Sequence, residues 1–202
     1  MASNILTIPN LLTFLRMALI PVFAITLFYG HSGWALLIFF VAGASDGVDG
    51  FVARRFNQES ELGTILDPIA DKLLMTTAFV ILTLPNVFPP IRHLPVPFWV
   101  TASVIGRDVL ITASAIAIFI ITDFRSFKHS WLGKLSTLVQ VSAVGLILLA
   151  AIFPMLVFYL PTVYTTVVAI AVFSGIHYIF HVARLMSEQP KKAESQEPRI
   201  EN

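Results

Sequence analysis

Apolar residues run along this chain in long blocks, separated by short polar or proline- and glycine-rich breaks. A helix needs roughly 20 mostly apolar residues to cross a hydrocarbon core. Six blocks reach that length, at about 10–29, 34–53, 62–84, 97–121, 131–153 and 160–186. The breaks fall between them: "YGHSG" after the first block, "LPNVFPPIRHLPVP" after the third, the basic "TDFRSFKHS" after the fourth, and "FP" and "LP" around the last connection. The final residues, "SEQPKKAESQEPRIEN", are charged and lack apolar periodicity, which predicts a disordered tail over 187–202. The segment before Pro9 is too short to span and is expected to lie along the membrane surface. The pattern therefore predicts an all-α integral membrane domain over 1–186, built from six transmembrane helices with a short N-terminal juxtamembrane segment.

Composition agrees with this class. Of 202 residues, 56% are hydrophobic and only 12% charged, and the mean hydropathy is +0.82, whereas a soluble domain exposes far more charge. A net charge of +1 gives no reason to expect nucleic acid or another polyanion as a partner. Cysteine is absent, which excludes disulfides and thiolate-bound metal. The start, "MASNILTIPN", has no basic n-region, and Arg16 interrupts the first block early, so that block reads as a retained helix. Orientation follows from the connections. Arg54 and Arg55, Arg125 and Lys128, and Arg184, Lys191, Lys192 and Arg199 fall on one side, against Arg92 alone on the other. The positive-inside rule then puts both termini in the cytoplasm.

Against this apolar background, four aspartates need a reason. Asp46 and Asp49, in "DGVDG", are three residues apart, and Asp67 and Asp71, in "LDPIADK", are four apart. On helices, either spacing puts both side chains on one face. Taking Gln58 as the midpoint of the connection, Asp49 lies nine residues before and Asp67 nine after, while Asp46 and Asp71 lie twelve before and thirteen after. If the second and third helices are antiparallel neighbours, the two pairs sit at matching depths near the cytoplasmic face and can converge in one polar cavity. Two like charges about 5 Å apart repel by roughly 3 kcal/mol at an effective dielectric of about 20. Six such pairs approach 20 kcal/mol, more than a domain's net stability. Divalent cations relieve this, and carboxylates without Cys or His nearby favour Mg²⁺ or Mn²⁺. Four aspartates match the charge of two such ions, an arrangement suited to phosphoryl transfer.

The residues from 46 to 71, "DGVDGFVARRFNQESELGTILDPIAD", resemble the signature of the CDP-alcohol phosphotransferases, D-x2-D-G-x2-A-R-x8-G-x3-D-x3-D. Every fixed position is filled: Asp46, Asp49, Gly50, Ala53, Arg54, Gly63, Asp67 and Asp71. The resemblance implies a six-helix enzyme of phospholipid biosynthesis in a bacterial inner membrane, moving the lipid-phosphate part of a CDP-linked lipid onto an alcohol with loss of CMP. It implies that Asp46, Asp49, Asp67 and Asp71 bind two Mg²⁺ or Mn²⁺ ions, with Asp71 also the general base. Gly50, Ala53, Arg54, Ser60 and Gly63 would form the site for CDP-diacylglycerol. The stretch "IPNLLTFLR", 8–16, is similar to the family's first-helix segment beside the nucleotide, with Asn10, Thr13 and Arg16 at intervals of three residues on one face. Members of the family are often homodimers, so a second copy is an expected partner.

The acceptor is less sharply marked. Lys134 and Arg184 should lie near the cytoplasmic edge, and Arg107 deep in its helix, where a charge reads as functional by default. All three are candidates for an acceptor phosphate, with glycerol 3-phosphate the first expectation. The pair Arg107-Asp108 is instead similar to cardiolipin synthases, whose acceptor is phosphatidylglycerol. Small residues such as Gly43, Gly47 and Gly145 permit close helix packing. Lys72 follows Asp71 directly, but neighbours on a helix point about 100° apart, so a structural role is expected for it. A divalent-cation transporter is the alternative from another class, although its carboxylates would belong near mid-membrane.

Overall fold

In a computed structural model, residues 8–56, 61–88, 93–122 and 131–194 are described. Side chains are described for these except at 8–9, 46–56, 61–62, 64–65, 115–122, 131–132 and 181–194. The described residues form six α-helices and no strand: α1 (Ile8–Phe28), α2 (Ser32–Phe56), α3 (Glu61–Thr83), α4 (Phe98–Thr122), α5 (Trp131–Ile152) and α6 (Leu160–Glu194), with a 3-10 helix, Pro154–Tyr159, leading into α6. Every predicted block is a helix, with ends within a few residues of those expected. The exception is the last. Helix α6 continues to Glu194 rather than ending at 186, so part of the expected disordered tail is helical.

Among the described residues, three segments are long and apolar enough to cross a membrane: Asn10–Phe28, Gly133–Ile152 and Pro154–Phe180. In α2 the described residues include a shorter apolar stretch, Ser32–Ser45. The surface carries large apolar side chains, and polar groups occur within a mainly apolar interior. Phe40, Phe98, Phe158, Phe173 and Phe180 are exposed, while Asn10, Thr13, Arg16, Ser136, Gln140 and Ser174 are buried. Outward aromatics and inward polar groups are what a lipid solvent selects, and the chain is a membrane protein.

The first turn shows how local chemistry sets the layout. Gly30 adopts φ +75, and two bonds close the end of α1: His31 N–H to Thr26 O at 2.9 Å and Gly30 N–H to Leu27 O at 2.9 Å. This is a Schellman closure, which favours glycine at the left-handed position, and it reverses the chain within residues 29–31. Helix α1 packs against both α2 and α3, α5 packs against α2 and α6, and α4 packs mainly against α6. Phe23, Leu27, Phe39, Phe79, Leu82, Ile147 and Leu148 form part of one continuous core. Among the described residues α1 contacts both α2 and α3; the ends of α2 and α3 that were expected to meet, beside the connection at 57–60, have side chains mostly outside the described residues.

Candidate active site

The N-terminal half of α1 presents Asn10, Thr13 and Arg16 inward, each 1% exposed. Their spacing of three keeps all of them on one helix face, and that face meets α3. There the Thr13 hydroxyl donates to Asp67 Oδ1 at 2.5 Å. One turn further along α3, Asp71 lines a cavity of about 720 Å³. Four helices build its walls: Arg16 from α1, Phe39, Phe40 and Gly43 from α2, Asp71 and Leu74 from α3, and Lys134 and Leu138 from α5. Among the described residues, one carboxylate and two cations thus line a chamber that is otherwise largely apolar. Gly43 and Gly145 also line it, and a Cβ at either would meet nothing within 4 Å. These glycines leave the chamber wide; they do not bring helices together as the sequence suggested.

The structure brings together only some of the expected site residues. Asn10, Thr13, Gly63, Asp67 and Asp71 lie on facing parts of α1 and α3, with Gly63 buried. Lys134 lines the same cavity as Asp71. Asp46, Asp49, Gly50, Ala53 and Arg54 are on the helical backbone of α2, and Arg184 on that of α6, but their side chains lie outside the described residues. Ser60 also lies outside them.

Arg107 is not among the cavity-lining residues. It reaches toward α6, donating from Nη1 to Asp108 at 2.7 Å and from Nη2 to Ser174 Oγ at 2.9 Å. The Arg-Asp pair is therefore a tie within α4 that also holds α6, with side chains 11% and 18% exposed. Lys72 hydrogen-bonds to Thr112 on α4, in keeping with its expected structural role. Sequence reasoning gave Arg16 no task of its own. The available signal was its place on the Asn10–Thr13 face, since a permanently charged group on a buried stripe requires a counterpart.

Among the described residues, no three acidic, histidine or cysteine side chains are grouped as metal ligands. Asp67 and Asp71, the two motif aspartates whose side chains are described, nevertheless suit a hard cation. Both offer only oxygen, and the Thr13 hydroxyl orients one Asp67 oxygen, as second-shell donors commonly orient ligating carboxylates.

Comparison with known proteins accords with this geometry. The model of the CDP-alcohol phosphatidyltransferase family matches residues 6–179. A "Probable phosphatidylglycerophosphate synthase" of Mycobacterium tuberculosis is 33% identical over 190 residues, covering 90% of this chain and 84% of its own. "CDP-diacylglycerol--glycerol-3-phosphate 3-phosphatidyltransferase" of Escherichia coli K12 is 38% identical over 148 residues, covering 70% and 76%. The protein of that name from Salmonella choleraesuis gives the same identity and coverage, 38% over 148 residues. Such enzymes are generally dependent on divalent metal. With the matched region spanning all six helices to within the last one, the chain belongs to the CDP-alcohol phosphatidyltransferase family.

Proposed function

We propose that this protein transfers a phosphatidyl group from CDP-diacylglycerol to glycerol 3-phosphate, releasing CMP and forming phosphatidylglycerophosphate, a step of phospholipid biosynthesis. The observation that carries the reading is the cavity in which Asp71 shares space with Arg16 and Lys134 under apolar walls. A lipid donor needs those walls, an anionic acceptor needs the cations, and a hydroxyl nucleophile needs the carboxylate.

The six helices all cross the inner membrane of a bacterium in this reading, with both termini and the cavity mouth toward the cytoplasm and a homodimer as the assembly. Asp46, Asp49, Asp67 and Asp71 hold two Mg²⁺ or Mn²⁺ ions. Bound there, the ions supply positive charge that offsets the negative charge of the reacting phosphates. Asn10, Thr13, Gly50, Ala53, Arg54, Ser60 and Gly63 hold the CDP end of the donor. Arg54 offers a planar fork of donors to a phosphate oxygen, and Gly50 lets the backbone come close. Asp71 accepts the proton of the acceptor hydroxyl as its oxygen attacks the phosphorus that carries diacylglycerol. The new phosphorus–oxygen bond forms as the bond to CMP breaks, and CMP leaves with that electron pair. Lys134 and Arg184 hold the acceptor's phosphate.

The test is purified protein in detergent with CDP-diacylglycerol, Mg²⁺ or Mn²⁺, and one acceptor at a time. Release of CMP with glycerol 3-phosphate, and formation of phosphatidylglycerophosphate, is the expected result. CMP released only with phosphatidylglycerol would identify a cardiolipin synthase instead. Metal uptake into vesicles without any lipid product would favour a cation transporter.

A further inference from the structure

Arg16 lies outside the aspartate motif, yet it is among the largest fully buried side chains of the protein, at 1% exposure. Its level in the bundle follows from connectivity. Helices α1, α2 and α3 are joined through residues 29–31 and 57–60, so α1 and α3 run in the same direction. The Thr13–Asp67 hydrogen bond fixes their register. Arg16 is three residues further along α1, and Asp71 four further along α3, rises of about 4.5 and 6 Å at 1.5 Å per residue. Arg16 therefore stands level with Asp71, one turn deeper than the Thr13–Asp67 pair, and both line the same cavity.

Lys134 of α5 lines the same cavity, and most of the remaining lining described is apolar. The two cations and one carboxylate described there suit a compact molecule bearing a phosphate monoester at one end and a hydroxyl at the other. The phosphate would sit between the cations while the hydroxyl reaches Asp71. A phosphodiester offers one negative charge where a monoester offers up to two, so the pair of cations also discriminates between acceptor classes.

We propose that Arg16 is a specificity-determining residue that, with Lys134, binds the phosphate monoester of the acceptor. This rests on the phosphatidyltransferase reading above. The competing role, holding the donor's diphosphate, fits the level less well, because Arg16 lies deeper than Thr13, on the side away from the cytoplasmic mouth through which the cytidine would enter.

The experiment is steady-state kinetics in detergent with each substrate varied in turn, using inorganic phosphate as the inhibitory probe. For the wild type, phosphate should compete with glycerol 3-phosphate. Arg16→Gln should raise the acceptor KM and the phosphate inhibition constant about tenfold or more, the scale of one charge-assisted contact, while the KM for CDP-diacylglycerol changes less than about twofold. Arg16→Lys keeps the charge, loses the fork, and should fall between the two. A shift confined to the donor KM would overturn the proposal. So would unchanged acceptor KM and phosphate inhibition in either variant, or a wild type indifferent to phosphate. If Arg16→Gln fails to fold, Arg16→Lys decides alone. Wild type that releases no CMP with glycerol 3-phosphate would refute the underlying activity instead, before any variant is made.

Discussion

Replacing Thr13 by Val tests whether α1 tunes the carboxylates proposed to bind metal. The two side chains have nearly the same shape, and Thr13 is 1% exposed, so the substitution removes a hydroxyl without opening a cavity. What disappears is the hydrogen bond to Asp67 Oδ1, 2.5 Å long. A hydrogen bond to a charged group contributes about 1.5–3 kcal/mol, or roughly 10- to 100-fold in an equilibrium constant. Loss of groups that orient metal ligands weakens metal binding over a similar range. The concentration of Mg²⁺ or Mn²⁺ giving half-maximal CMP release should therefore rise by about 10- to 100-fold in Thr13→Val. At saturating metal most of kcat should return, and Thr13→Ser should behave nearly as wild type. An unchanged metal curve in folded Thr13→Val would refute the reasoning. A higher KM for the CDP-lipid with an unchanged metal curve would place Thr13 on the nucleotide alone.

Asp71→Asn should lower CMP release by at least about 100-fold, the lower end for losing a general base, with thermal unfolding in detergent little changed. Arg107→Gln should lower stability by about 3 kcal/mol, because Asp108 would lose its partner in a part-buried site, while the acceptor KM stays as in wild type; a raised KM would return Arg107 to the acceptor site. Gly30→Ala should cost about 1 kcal/mol, read by thermal melting, through the strain of φ +75 and not through collision, since its Cβ would meet only Val87 O at 3.7 Å. Chelation of divalent metal should stop CMP release, and added Mg²⁺ or Mn²⁺ should restore it.

The sequence by itself determined the helices, because crossing a hydrocarbon layer demands long apolar blocks and leaves each helix to satisfy its own backbone hydrogen bonds. It determined the family as well, through a run of fixed residues from Asp46 to Asp71 whose spacing is local and readable. Single-helix logic also marked the polar face of Asn10, Thr13 and Arg16, since spacing by three survives in any fold. Where reasoning had to pass between helices, the structure puts Lys134 in the lining of the same cavity as Asp71. That reasoning missed for Arg107, because depth says nothing about which way a helix is turned; its side chain faces Ser174 on α6.

Only the tertiary structure decided how the helices surround the site. It laid α1 against both α2 and α3, with the cavity walled by parts of all three and of α5, an arrangement no short connection specifies. That placement turned Gly43 and Gly145 from supposed contact points into open wall, and gave Arg16 a position level with Asp71. The physical reason is one of range. Hydropathy and helical period act within a segment, whereas rotation and neighbour choice come from packing among all the helices at once, and the chemistry of a site is built from the latter.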